Sequence, residues 1–454
     1  MGAAPAPLSA PPKKRNKAAI WVAVGVAAAL VLGTVGFLVS KSFTRGGASS
    51  PEAAASQLFQ AVGDKNILGV AQLVAPSEFA DIAAVQKANG SNTFDNFSPA
   101  TLRQCADAIE VFESDVDYAV ETKTDDIALI TVDSWDLHAS VNVEEFLEVA
   151  DKQYEEQYGE SPSLVSNFRE LMESGGGTYE PVQTIDQDVL EGSGPITLVS
   201  VKENGSWYIS PLMTAGEALV VGGGSLTSHE FTPDYRADYA TGTGAASPTE
   251  AVEALGEAVV DGQNSGNWAS QADELFGRLS FPERRFAMVY LGDALGDTGT
   301  SQEPVEWTPG FVETNLSDGI AALSPGRTSV SYRDGWGDRN TFDFDGWELA
   351  VSGPYDRVSV DFGRLLQDPT RVGIVTVKES GGWYVSALGT VADIATAQLD
   401  PAKVDQHLGP EVEELVESMG ITDIPRDAYE SMGPAAIFLD VMLLANEQMY
   451  DDIY

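Results

Sequence analysis

The sequence predicts an α+β protein with an N-terminal transmembrane helix, two tandem domains in which helices precede a sheet, and a helical C-terminal tail. Three observations carry this. A long uncharged run lies near the N-terminus. The string "VKENGSWYIS" at 201–210 returns as "VKESGGWYVS" at 377–386. "SPEAAASQLFQAVGD" at 50–64 returns as "SPTEAVEALGEAVVD" at 247–261.

Residues 1–17 read as a cytoplasmic, disordered tail, opening on the Pro/Ala-rich "MGAAPAPLSAPP". Residues 18–40, "AAIWVAVGVAAALVLGTVGFLVS", contain no charge. As a helix they reach roughly 35 Å, enough for a hydrocarbon core of about 30 Å. The run is longer than the apolar region of a secretory signal, and "FLVSKSF" offers no small-residue cleavage site, so an uncleaved anchor is expected. "KKRNK" ahead of the span against only Lys41 and Arg45 behind it predicts a cytoplasmic N-terminus and an ectodomain outside the cell membrane. Gly25, Ala29 and Gly33 share one helix face and permit self-association of the span.

The first expected domain covers 50–219. Ser50 and Ser247 stand at N-cap positions with Pro51 and Pro248 at the first helical position. Apolar residues then recur every three or four positions, the pattern of an amphipathic helix. A second helix follows in each copy, from Ile67, Val70, Ala71 and Val74, and from Trp268, Ala272, Leu275, Phe276 and Leu279. "DSWDL" at 133–137 and "DGWEL" at 345–349 offer a third echo inside alternating, strand-like runs. Each copy closes on a hairpin that turns through Asn204-Gly205 or Gly381-Gly382. Trp135 to Trp207 is a longer stretch than Trp347 to Trp383, so the first copy is expected to carry a helical insertion near 142–177. The Gly/Thr/Ser-rich stretch 220–247 reads as a linker, 248–398 as the second domain and 399–454 as the helical tail. In the tail, "PAAIFLDVMLLANEQMY" is too short to cross a bilayer and reads as a packing or self-association helix.

Helices headed by S-P and an early Glu-Ala (S-P-E-A at 50–53, S-P-T-E-A at 247–251), followed by a sheet that ends in V-K-E-x-G-x-W-Y, resemble the nuclear transport factor 2-like superfamily, in its bacterial, actinobacterial-type, membrane-anchored envelope members. Some of those accompany the mammalian-cell-entry lipid transporters. The resemblance covers the two ends of each copy. It implies two cone-like domains, each a curved antiparallel sheet wrapped around helices. It also implies a choice between non-catalytic binding or assembly modules and a few enzymes with an acid/base pair inside the cone.

Chemistry is sparse. The formal charge is −43, and all of the excess acid lies beyond residue 45, which excludes nucleic acid as a partner. That acidity fits a solvated surface, cation binding or a saline habitat. The single Cys105 permits neither a disulfide nor a cysteine zinc site. The three histidines, His138, His229 and His407, form no triad or metal cluster, and the counterpart of His138 in the second copy reads as Ala350. "DRNTFDFDGWE" at 338–348 lacks the register of a calcium loop. No catalytic residue, metal site or cofactor is expected. The candidate binding residues are the recurring aromatics Trp135, Trp207, Tyr208, Trp347, Trp383 and Tyr384, which pack the core or line a pocket. Three readings follow in order of preference: a non-catalytic envelope scaffold that meets other envelope or membrane proteins, a carrier of a small apolar ligand, and an enzyme.

Overall fold

The computed structural model describes residues 46–89, 107–158, 182–185, 196–220, 232–292, 304–333, 337–353, 357–364 and 368–396, with a few single positions between. The expected cytoplasmic tail 1–17, anchor 18–40 and C-terminal tail 399–454 lie outside the described residues. So do Cys105, His229 and His407. Among the described residues no helix is long and apolar enough to cross a membrane.

The architecture is mixed α+β with curled antiparallel sheets. The first half runs α1 (Pro51–Gly63), α2 (Ile67–Gln72), α3 (Pro76–Ala88), β1 (Ile109–Thr122), β2 (Ile127–Asn142), α4 (Val143–Tyr158), β3 (Val182–Ile185), β4 (Ile196–Glu203), β5 (Ser206–Ile209) and α5 (Pro211–Val220). The second half begins with α6 (Pro248–Ser265), a short 3-10 turn, α7 (Ala272–Gly277) and α8 (Phe281–Tyr290). Its strands are β6 (Glu306–Thr308), β7 (Phe311–Ser317), β8 (Ile320–Pro325), β9 (Arg327–Arg333), β10 (Arg339–Asp345), β11 (Glu348–Ser352), β12 (Arg357–Asp361), β13 (Ile374–Glu379) and β14 (Gly382–Ser386), followed by α9 (Ala387–Thr396).

The helix starts follow the sequence signals. The Ser50 hydroxyl accepts from the Ala53 N–H and the Ser247 hydroxyl from the Glu250 N–H, both at 3.2 Å, with proline just inside each helix. The alanine-rich face of α1 (Ala54, Ala55) lets it lie close on the sheet, where it and Phe59 of the same helix pack against Ile130, Trp207 and Ile209. Ala251 and Val252 of α6 do the same over Leu323 and Val385.

The same two backbone bridges recur in each half. Ala48 meets Trp207 and Val74 meets Ile209 in the first half, while Ala245 meets Trp383 and Leu279 meets Val385 in the second. The sheets run β1-β2-β4-β5 with β3 beside β2, and β14-β13-β8-β7 with β12-β11-β10-β9-β6. Bulges between Glu113 and Val116 and at Asp117 bend the long β1. The second half instead breaks its strands at Gly310 and Gly326, where the two backbones approach too closely for a side chain and Gly326 N–H donates to Gly310 O at 2.8 Å.

Three expectations change. Trp135 and Trp347 are not equivalent: Trp135 lies in β2 opposite Val116, whereas Trp347 stands in the turn between β10 and β11. By the same register the place of His138, in β2 opposite Phe112, falls on β9 rather than at Ala350 of β11. In the first half α4 follows β2, most of the rest of the expected insertion near 142–177 lying outside the described residues, and the second half has an additional hairpin, β11–β12. Second, residues 232–247 form an ordered strap, with Tyr235 and Tyr239 packed on the core and the Asp234 N–H donating to Val289 O at 2.9 Å. Third, the second hairpin turns on Ser380-Gly381, not Gly381-Gly382. Ser380 (φ 49°) and Gly381 (φ 92°) match Asn204 (φ 51°) and Gly205 (φ 86°). Both residues left-handed is the two-residue turn suited to twisted strands. Gly382 instead lies against Gly244, where a Cβ would come within 2.9 Å of backbone.

The halves are joined by exchange. Each also has a third helix, α3 or α8, and each of these packs into the opposite half. Val85 of α3 sits among Ile320, Val375, Val377 and Ala392. Val289 and Tyr290 of α8 sit among Ile127, Leu129, Val199 and Met213. Correspondingly, α3 packs on α9 and α8 on α5.

The turn residues give a test. Ser380→Asn relieves a left-handed serine and is expected to stabilise the fold by about 0.5 kcal/mol, while Gly205→Ala is expected to cost about 1 kcal/mol. Denaturant midpoints of the two variants check this.

Candidate functional site

The repeated string V-K-E-x-G-x-W-Y-x-S can be followed atom by atom in both halves. Lys202 Nζ lies 5.8 Å from the Trp207 ring, and Lys378 Nζ lies 5.8 Å from the Trp383 ring. The glutamate next to it reaches the start of the third helix. Glu203 accepts from the Ser77 N–H at 3.1 Å and the Ser77 hydroxyl at 2.6 Å, and Glu379 accepts from the Phe281 N–H at 2.8 Å. A carboxylate there satisfies unpaired N–H groups and the positive helix end. The tyrosine hydroxyls donate to Gly46 O at 2.9 Å and Gly242 O at 3.4 Å. The final serines, Ser210 and Ser386, accept from Met213 N–H and Gly389 N–H and so cap α5 and α9.

Each of those caps is held by a glutamate of a third helix. Glu78 of α3 accepts from the Ser210 hydroxyl and from the Leu212 N–H at 2.9 Å. Glu283 of α8 accepts from the Ser386 hydroxyl at 3.1 Å, the Leu388 N–H at 2.7 Å and the Ser280 hydroxyl. All these groups converge where α3 crosses α8.

The symmetry ends at the arginines. Two residues after Glu78 stands Ala80; two after Glu283 stands Arg285. Arg285 crosses into the first half, with Nη1 3.0 Å from Glu203 Oε1 and Nη2 3.3 Å from Glu78 Oε1. It is 1% exposed, lies over the Phe281 ring at 5.1 Å, and its Nε has no partner. Arg284 stays in its own half. Its Nε donates to Tyr239 O at 2.8 Å, its Nη1 to Leu279 O at 2.6 Å, and its Nη2 lies 3.6 Å from Glu379. The guanidinium stacks 4.9 Å over Tyr384.

This seam is short of positive charge. Burial pushes the Glu78 carboxyl up to about 7, against the opposing pull of Arg285 and the Ser210 and Leu212 hydrogen bonds. Burial also pushes Glu283 up to about 7, with Asp81 of α3 adding to the rise. Asp81 and Glu379 are likewise raised, first by burial. Further out along each cap helix stands another buried acid. Glu217 accepts from the Tyr235 hydroxyl at 2.6 Å and the Tyr290 hydroxyl at 3.1 Å, and Asp393 accepts from Asn89 Nδ2 at 2.7 Å and the Gly373 N–H at 2.9 Å. Chemically, the seam can hold and release protons near neutrality. Glu78, Glu203 and Glu283 are buried and Asp81 and Glu379 half-buried, and their bonds across the crossing tie the two halves to each other.

Five of the six aromatic candidates have described side chains. Trp207, Tyr208 and Tyr384 are buried; Trp347 and Trp383 are half-buried, and Trp347 Nε1 donates to Pro369 O at 2.6 Å. The structure brings Trp207 with Tyr208, and Trp383 with Tyr384, to matching places; Trp135 and Trp347 stand on different elements. Among the described residues no cluster of His, Cys, Asp or Glu is placed to hold a metal ion. A polar cavity of about 340 Å³ lies beside the first described residues, lined by Gly46, Gln57, Gln60, Asp64, Asn66 and Gln72. Sequence reasoning passed over Glu78, Asp81, Glu283, Arg284 and Arg285. Two adjacent arginines in a chain this acidic, each third helix opening on proline and glutamate, were the available signal. No protein-family model, curated protein or solved structure matches the chain.

Arg285→Leu leaves Glu78 and Glu203 buried without a counter-charge and is expected to cost about 3–5 kcal/mol at pH 8. The native Glu78 carboxyl is raised above its unfolded value, so its proton is retained on folding from about 4.5 to about 7. Its contribution is therefore favourable at low pH and is lost as pH rises through that window. The loss caused by Arg285→Leu is expected to shrink at pH 5, and denaturant titrations at the two pH values check it.

Proposed function

We propose that this chain is a single-pass, membrane-anchored, extracytoplasmic protein of the cell envelope that acts as a non-catalytic scaffold or accessory interaction module. In this reading the two halves are tandem cones of the nuclear transport factor 2-like kind. The observation that carries it is the exchange of α3 and α8 across a buried seam. The recurring motif is engaged in internal bonds, and the halves present their outer surfaces as one body. Such a body suits holding partners at a fixed spacing. The uncharged run 18–40, with its basic flank on the N-terminal side, supports an anchor that places this body outside the membrane.

A second reading, a binder of a small apolar molecule, is favoured by one feature. The register of β6, β9, β10 and β11 aligns Trp307, Val330, Phe342 and Val351 in a row across the sheet, each half-buried. Tyr332 and Phe342 stack beside it at 6.2 Å. A face of this kind accommodates an apolar ligand.

Photo-crosslinking of the full chain in cells is expected to recover one or two envelope proteins reproducibly, and protease added to intact cells is expected to reach residues beyond 45. Recovery of unrelated envelope proteins in proportion to abundance would count against the scaffold. For the second reading, the full chain is expected to enhance the emission of an apolar fluorescent probe, and Phe342→Asp to remove at least tenfold of that affinity.

A further inference from the structure

The crossing of α3 and α8 has two ends, and they differ. At one end Arg285 of α8 meets Glu78 and Glu203. At the other, Asp81 of α3 meets the hydroxyls of Ser280 and Ser386 and faces Glu283. One crossing joins acid to base; the other joins acid to acid.

Hydrogen-bond accounting at the second end leaves a deficit. A serine hydroxyl carries one proton. Ser280 donates its proton to Glu283 Oε2, and Ser386 donates its own to Glu283 Oε1. With both protons directed to Glu283, neither hydroxyl donates to Asp81, and the Asp81 Oδ2 is buried with no partner. An ionised carboxylate in that position is an acceptor among acceptors, which is costly inside a protein. A proton on Asp81 converts it into a donor toward a hydroxyl oxygen and removes the repulsion.

We propose that Asp81 and Glu283 hold one shared proton across the seam, relayed by the hydroxyls of Ser280 and Ser386, and that loss of this proton loosens the contact between the two halves.

The surrounding charges do not supply a substitute for that proton. On α3, Glu78 lies one turn back and is engaged by Arg285. On α8, Arg285 is committed to Glu78 and Glu203, and Arg284 to Tyr239 O, Leu279 O and Glu379. From the hairpins come two more acids, Glu379 of β13 and Glu203 of β4. From the strap comes Tyr239, a neutral phenol whose pKa is raised by burial. Burial raises Asp81 and Glu283 alike, and the charge of Asp81 raises Glu283 further, which is the behaviour of a coupled acid pair. Because the folded carboxyls are raised above their unfolded values, the protonated pair stabilises the seam at low pH. That stabilisation is lost as pH climbs from the usual carboxylate range to about 7.

The test uses the full chain in detergent, unfolded by denaturant between pH 5 and pH 8. A single retained proton changes the unfolding equilibrium up to about tenfold per pH unit. Asp81→Asn, whose amide can donate without titrating, is expected to match wild type at pH 5, exceed it at pH 8, and lower the pH slope by about one proton. Glu283→Gln is expected to lower the slope similarly, and the double variant no further than either alone. An unchanged slope in Asp81→Asn, or slopes that add in the double variant, would overturn the shared proton. If the variants fail to fold, infrared spectra of wild type labelled with ¹³C-aspartate decide. A protonated aspartic acid at pH 6 that is gone at pH 8 supports the pair, and its absence overturns it.

Discussion

The fold depends on a counter-charge brought in from the other half. Glu78 and Glu203 are buried, and each holds a helix start: Glu78 that of α5, Glu203 that of α3. Desolvating a carboxylate costs several kcal/mol, so burying two of them side by side calls for a cation between them. Arg285 meets both within hydrogen-bonding distance. Since α3 delivers Val85 to the far sheet and α8 delivers Val289 and Tyr290 to the near one, a single guanidinium sets the relation of two cores. Buried ion pairs contribute little net stability compared with apolar packing, but they penalise every misaligned arrangement. Here the alignment at stake is that of one half on the other.

The motif makes the same contacts in both halves, and the halves also differ at definite places. Lysine over tryptophan, glutamate on a helix start, tyrosine on a backbone carbonyl and serine as a cap are the same in each half. The departures lie in what each half adds. The first inserts α4, the second adds β11 and β12, and only α8 carries arginines at the crossing. An arrangement with a near-twofold plan thereby has two unlike ends, one closed by charge pairing and one by carboxyl groups.

Much of this was readable from local chemistry. Ser50-Pro51 and Ser247-Pro248 marked α1 and α6, and Asn204-Gly205 marked a hairpin, because caps and turns are decided by neighbours in sequence. The third helices were not readable in the same way. "FPERRFAMVY" carries Glu283, Arg284 and Arg285, which look solvent-facing by periodicity; only partners contributed by the other half make their burial tolerable. The match of "DSWDL" to "DGWEL" failed for a related reason: strand partners are far apart in sequence, and a five-residue echo does not report them. The strap at 232–247 lacked an apolar period because it contributes single tyrosines rather than a face. The seam was hidden for the same reason as its helices, whereas the glutamate of V-K-E was visible twice before its role was.

The way the chain enters its first half sets how load would travel. Gly46 is held by the Tyr208 hydroxyl, Gly47 N–H donates to Gln72 O at 3.0 Å, and Ala48 exchanges two 2.8 Å hydrogen bonds with Trp207. These bonds fasten the incoming strand to the closing hairpin itself. Tension applied ahead of residue 46 would therefore be borne in shear by the sheet edge rather than by a lone terminal contact.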